Sequence, residues 1–121
     1  MSEPLPASVA ELFWEGLLIL KTDGQLDDRY WDVDQPDGRV YLWFEGLYHQ
    51  WAKEYRARSG QPAFNPQVMR RYLREEPGFE AMSKDHRMKG SVRSCAVFNL
   101  LKCPEELRQL VLTADEMVNV A

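Results

Sequence analysis

Asn65-Pro66-Gln67-Val68-Met69-Arg70-Arg71-Tyr72-Leu73-Arg74 opens the stretch, running on to Arg93, that decides the fold of this chain. Asn is a side-chain cap for the first free N–H groups of a helix, and Pro fits the first helical position. At about 100° per residue, Gln67, Arg70, Arg71 and Arg74 fall within one arc roughly 100° wide, and Val68, Met69, Tyr72 and Leu73 fall opposite it. No acidic residue interrupts the arginine arc before Glu75. Pro77-Gly78 then ends the helix. Two strand-like runs follow, Phe79 to Ser83 and Ser91 to Leu100. In the second, Val92, Ala96, Phe98 and Leu100 share one side. Between them lies a basic tip, Lys84-Asp85-His86-Arg87-Met88-Lys89-Gly90, in which His86 reads as a polar loop residue.

Upstream, Ser8-Val9-Ala10-Glu11 fits a capping box. The helix it starts, from about Val9 to Lys21, carries Leu12, Phe13, Trp14, Leu17, Leu18, Ile19 and Leu20 around nearly its whole circumference. A helix apolar all round is buried, or packs on something outside the chain. Tyr30-Trp31-Asp32-Val33-Asp34 and Arg39-Val40-Tyr41-Leu42-Trp43 alternate in character around Gln35-Pro36-Asp37-Gly38, the pattern of a β-hairpin. A second helix runs from Phe44 to about Arg58, with Phe44, Leu47, Tyr48, Trp51, Ala52 and Tyr55 on one face, and stops at Ser59-Gly60 and Pro62. Cys103-Pro104-Glu105-Glu106 begins a last short helix striped by Leu107, Leu110 and Val111, and the tail after Thr113 reads as loose.

The 121 residues fit one domain. It divides into an N-terminal helix and hairpin (1–43), a central unit (44–100) and a C-terminal helix and tail (101–121). The net charge of −4 argues alone against a nucleic-acid partner. Its distribution says otherwise. Residues 1–50 hold three Lys/Arg against ten Asp/Glu, residues 51–93 hold ten against five, and residues 94–121 hold two against four. A basic block, net +5, therefore sits between acidic flanks. Cys95 and Cys103 are too few for a structural zinc site and read as free, partly buried thiols. The start lacks the basic segment of a leader peptide, and Leu12–Leu20 is too short to span a bilayer, so a cytoplasmic protein without a membrane partner is expected.

The candidate chemistry is electrostatic. Arg70, Arg71 and Arg74 suit phosphate contact, with Gln67 or one arginine reaching base edges in a major groove. Lys84, Arg87, Lys89 and Arg93 suit phosphates beside it, and Lys53 and Arg56 extend the footprint. Asp27, Asp28, Asp32 and Asp34 lie on one local loop and strand, without the further ligands that Mg²⁺-dependent phosphoryl chemistry needs, and read as a solvated acidic hairpin. There is no nucleophile elbow and no phosphate-binding glycine loop. No catalytic residue, metal or cofactor is expected. Trp14, Trp31, Trp43 and Trp51 suit base stacking in principle, but Trp51 falls in an apolar stripe and reads as core.

Helix, hairpin, long helix, arginine-faced helix and two strands with a basic tip together look like an α+β winged helix-turn-helix with an N-terminal extension. The region from Tyr48 to Leu100 resembles the C-terminal winged-helix domain of phage and plasmid primase–helicases of the poxvirus type. The resemblance rests on Tyr48-His49-Gln50-Trp51 with Tyr55, Ser59-Gly60-Gln61-Pro62, Arg71-Tyr72-Leu73-Arg74-Glu75, Pro77-Gly78-Phe79 and Lys89-Gly90-Ser91-Val92-Arg93. The Phe13-Trp14 helix with the hairpin and helix after it looks more loosely like the C-terminal domain of conjugative relaxases. Both resemblances imply a non-catalytic domain that binds duplex or forked DNA during replication or transfer of a mobile element, beside a helicase, primase or relaxase. The alternative is a protein-interaction module that dimerises or docks on a helicase through Leu12 to Leu20.

Overall fold

The computed structural model describes residues 9–113, and over these the chain is α+β, with four α-helices and one four-stranded antiparallel sheet. The order is α1 (Val9–Thr22), a 3-10 turn (Asp28–Tyr30), β1 (Trp31–Asp34), β2 (Arg39–Trp43), α2 (Phe44–Ser59), α3 (Pro66–Arg74), β3 (Phe79–Met88), β4 (Ser91–Asn99) and α4 (Glu105–Val111). The expected Ser8 cap and the tail after Thr113 lie outside the described residues. Among the described residues, no helix is long and apolar enough to cross a membrane.

The apolar circumference of α1 is explained by its neighbours. It packs against α2, α3 and α4, so Ala10, Phe13, Trp14, Leu17 and Leu20 are buried on several sides at once. Leu12, Leu18 and Ile19 stay half-buried. The approach to α2 is tight. The Trp51 indole lies so near α1 that a Cβ on Gly16 would stand 2.6 Å from its Cδ1. Its Nε1 donates to the Leu12 carbonyl at 3.0 Å. Phe13, Tyr48, Tyr55 and Phe64 surround the same indole with ring centroids 5.0–6.4 Å away. Tyr48 in turn donates its hydroxyl to the Phe64 carbonyl, tying α2 to the link before α3. Gly60, with φ 71°, ends α2 in the left-handed conformation, where glycine carries no steric penalty.

The first hairpin forms as its alternation predicts. Trp31 faces Leu42, Val33 faces Val40, and the Gly38 N–H closes the turn on the Gln35 carbonyl. β2 pairs with β4, and β4 with β3, giving the order β1-β2-β4-β3. Val40, Leu42, Ala96 and Phe98 form the buried helix-side face.

Two expectations, the tip loop and His86 as a loop residue, need correction. The segment Lys84–Gly90 is not a tip loop, because β3 continues to Met88 and only Lys89 and Gly90 make the turn. Both have positive φ, 50° and 86°, the geometry of a two-residue turn whose twist matches that of the strands. His86 is therefore a strand residue. Tyr72 is 37% exposed, because the short buried stripe of α3 is centred on Met69 and Leu73. Val92 is 58% exposed, because β2 ends opposite Cys95 and leaves the start of β4 without a neighbour on that side.

Two predictions test this packing. An exposed helical Gly→Ala change ordinarily gains up to about 1 kcal/mol. Gly16→Ala is expected to reverse that sign and cost about 1–3 kcal/mol through overpacking against Trp51, read as a lower urea midpoint at constant m-value. The second concerns Glu76, which accepts the Trp14 Nε1–H at 2.7 Å. Burial raises its carboxyl above the usual 4.5, opposed by the Trp14 hydrogen bond and reinforced by Glu11 and Glu106. An acid whose proton affinity rises on folding favours the fold when protonated, and that benefit is lost as pH climbs through the raised value. Glu76→Gln is thus expected to raise Tm at pH 7, with the gain shrinking below pH 4.5; a gain independent of pH would contradict this.

Candidate functional site

Asn65 caps α3 as its residue type suggests, its Oδ1 accepting the Gln67 N–H at 2.7 Å. Pro66 occupies the first turn, and Met69 and Leu73 anchor the helix in the core. Gln67, Arg71 and Arg74 are exposed on the outer face, and Arg70 is half-buried at its margin. The Arg70 guanidinium lies over the Phe44 ring, 4.7 Å from its centroid, a cation–π contact that fixes where the charge stands. Among the described residues, Arg70, Arg71 and Arg74 have no carboxylate within salt-bridge distance.

The β3–β4 hairpin is arranged differently from an outstretched basic tip. β1 and β3 are opposite edges of the sheet, which in a flat sheet stand about 14 Å apart across three strand spacings. Yet His86 Nε2 on β3 lies 2.7 Å from Asp32 Oδ2 on β1, and Lys89 Nζ lies 3.4 Å from Asp28 Oδ2. The hairpin reaches them by curling over the sheet face turned away from the helices. Register shifts after Phe79 and after Ala81, with Ser83 at φ 61°, supply the extra twist. Aromatic contacts then hold it down. His86 stacks on Tyr41 at 3.7 Å and 3°, and the Arg93 guanidinium lies 4.0 Å from the Trp43 centroid, with Tyr30 stacked on the same indole. Cys95, Val97 and Met88 are buried beneath the curl.

The proposed residues fall into three groups. Arg70 covers the buried Phe44 ring and Arg93 covers the Trp43 ring, so each is held on an aromatic seat of its own. Gln67, Arg71, Arg74, Lys84 and Arg87 are exposed, the last two on the edge strand β3, while Lys89 is engaged with Asp28. Lys53 is set apart, since it lines the groove between α1 and α2 with Asp23, Gln25 and Arg58. Arg56 is exposed and close enough to the Tyr48 hydroxyl for its charge to be felt there.

The aspartates do not converge on a common point. Asp27 binds Arg29, whose hydrogen bond holds the carboxyl below its usual range, while Asp28 meets Lys89, Asp32 meets His86, and Asp34 accepts the Asp37 N–H. Among the described residues, no group of three or more His, Cys, Asp or Glu is placed to hold a metal ion. Both cysteines are free and buried. Burial, with Asp32 and Asp85 nearby, pushes the Cys95 thiol up to about 11, so it stays protonated at neutral pH. Of the tryptophans, Trp14, Trp31 and Trp51 are core, and Trp43 is half-buried under Arg93.

Comparison with protein-family models, with characterised proteins and with solved structures finds no match to this chain. The site rests on its own geometry. The sequence did not single out Tyr41, Trp43, Phe44, Asp28 and Asp32 as seats for the basic residues. The signal available was the charge segregation itself, since an acidic block of net −7 beside a basic block of net +5 favours pairing between them.

Asp32→Asn tests the clasp. It removes the charge opposite His86 and leaves the Tyr41 stack in place. Backbone amides from Arg87 to Val92 are expected to exchange with deuterium several-fold faster, while Leu42 and Phe98 keep their protection. Unchanged exchange at the hairpin would show that stacking alone holds it.

Proposed function

We propose that this chain is a winged-helix domain that binds duplex or forked DNA and catalyses no reaction. The observation that carries the reading is the outer face of α3, where Gln67, Arg71 and Arg74 are exposed and, among the described residues, Arg70, Arg71 and Arg74 have no carboxylate within salt-bridge distance. The element order α1-β2-α2-α3-β3-β4 supports it, being the helix–strand–helix–helix–strand–strand order of a winged helix, with β1 added at the edge. In this reading α3 is the recognition helix. Arg71, Arg74 and Gln67 face the major groove and its flanking phosphates, while Lys84 and Arg87 lie along the backbone. Arg70 and Arg93 act from fixed positions, so little side-chain entropy is lost when they meet a phosphate. The acid-rich N-terminal third faces away from DNA or towards a protein, apart from Asp28 and Asp32, which partner the hairpin. We take the resemblance to domains of primase–helicases and relaxases to imply a role in replication or transfer of a mobile element, beside a larger enzyme in the cytoplasm.

Fluorescence anisotropy with a labelled duplex and a labelled fork tests this directly. Affinity is expected to fall with rising salt, the log–log slope steepening by about 0.9 for each phosphate neutralised. The double variant Arg71→Ala/Arg74→Ala keeps the Arg70–Phe44 contact and with it the fold. It is expected to bind at least about tenfold more weakly and with a shallower salt slope. Wild-type affinity in the double variant, or no binding to either DNA at low salt, would sink the proposal.

A further inference from the structure

The outer face of α3 differs from one flank to the other. Met69 and Leu73 hold the helix in the core. At about 100° per residue, Arg71 lies about 160° from both, so it points most directly outward. Gln67 and Arg74 stand on one flank of Arg71, and Arg70 lies beyond them, held over the Phe44 ring. Val68, Tyr72 and the helix-ending Glu75 stand on the other flank. Val68 is half-buried, Tyr72 is 37% exposed and Glu75 is exposed. This second flank has no Lys or Arg, and the Glu75 carboxylate repels a phosphate placed on it. The cationic flank suits a nucleic-acid backbone, and the apolar flank suits something uncharged.

The floor of a major groove offers both kinds of partner. Guanine presents its O6 and N7 acceptors, which one guanidinium meets with two hydrogen bonds, and thymine presents a 5-methyl group, which takes an apolar contact. We propose that Arg71 reads a guanine, that Val68 and Tyr72 pack on the methyl groups of thymines beside it, and that Arg70 and Arg74 hold the backbone on the opposite flank. The inference rests on the DNA-binding reading above and gives it a substrate class, duplexes that carry guanine beside thymine. Val68 and Tyr72 stand about 6 Å apart along the helix at 1.5 Å per residue, roughly two base steps of 3.4 Å. The exposure of Tyr72, which the core does not use, thereby acquires a role. Arg70 is fixed on Phe44 and cannot swing across to the apolar flank without leaving its ring.

The test is selection of bound duplexes from a random pool by the full chain, followed by anisotropy on the selected duplex with single bases changed. The selected duplexes are expected to share a guanine flanked by thymine. Replacing those thymines with uracil removes only the methyl groups and is expected to weaken binding about fourfold for each methyl contacted. Replacing the guanine with 7-deazaguanine removes the N7 acceptor and is expected to cost about tenfold. In Tyr72→Ser the thymine and uracil duplexes are expected to bind nearly alike, and in Arg71→Ala the guanine and 7-deazaguanine duplexes alike, with circular dichroism unchanged. Lys84→Ala/Arg87→Ala is expected to weaken all these duplexes equally and to leave both ratios intact. DNA binding with no shared motif, or equal affinity of wild type for thymine and uracil duplexes, overturns this inference and leaves the DNA-binding reading standing. Failure to bind any duplex in the pool overturns both. The base replacements are made in the DNA, so they decide the matter even where a variant fails to fold.

Discussion

The contact between Gly16 and Trp51 sets the distance between α1 and α2, and most of the structure follows from that distance. An indole seated where a Cβ would stand, with its N–H on the Leu12 carbonyl, leaves α1 little freedom to slide or rotate. Once α1 is fixed, Trp14 reaches Phe98 of the sheet on one side and Glu76 beyond α3 on the other. The same indole is ringed by Tyr48, Tyr55 and Phe64, so the link leading into α3 is tied to the same point. The direction in which the arginine face of α3 points is therefore a consequence of core packing, although none of its exposed residues belongs to the core.

A second constraint acts on the other side of the sheet. The β3–β4 hairpin carries basic residues, and it lies over strands that carry acids and aromatics. Surface ion pairs such as Lys89–Asp28 contribute little singly. The stacked rings give the hairpin its fixed place, and the carboxylates choose which residues land on them. Under the proposed reading this has a chemical meaning. Asp28 and Asp32 meet Lys89 and His86 as phosphates would meet them in DNA, so these two hairpin side chains are already partnered within the chain.

The helices and the first hairpin were legible because each follows a local rule. Asn65-Pro66 starts α3, Gly60 ends α2, and the alternation around Gln35–Gly38 gives β1 and β2. The arginine arc was legible from helix period alone. What lay beyond local rules was the curl of the second hairpin. It depends on two register shifts and a left-handed Ser83, which leave no mark that distinguishes Ala81-Met82-Ser83 from an ordinary strand end. The same curl explains why Cys95 and Val97 are buried on the side away from the helices, where alternation would leave them facing water. The exposure of Tyr72 was likewise beyond local rules, since a nine-residue helix anchored by Met69 and Leu73 buries a narrower stripe than its apolar residues suggest.

The most direct measurement is a ¹H–¹⁵N correlation spectrum of the labelled chain titrated with an unlabelled duplex at low salt. The account predicts that the shifted amides cluster in 65–75 and 84–93 and that the Trp43 indole N–H moves with them, while α1 and α4 stay unchanged. Shifts confined to α1 and α4, or a spectrum that does not respond to DNA, would contradict it.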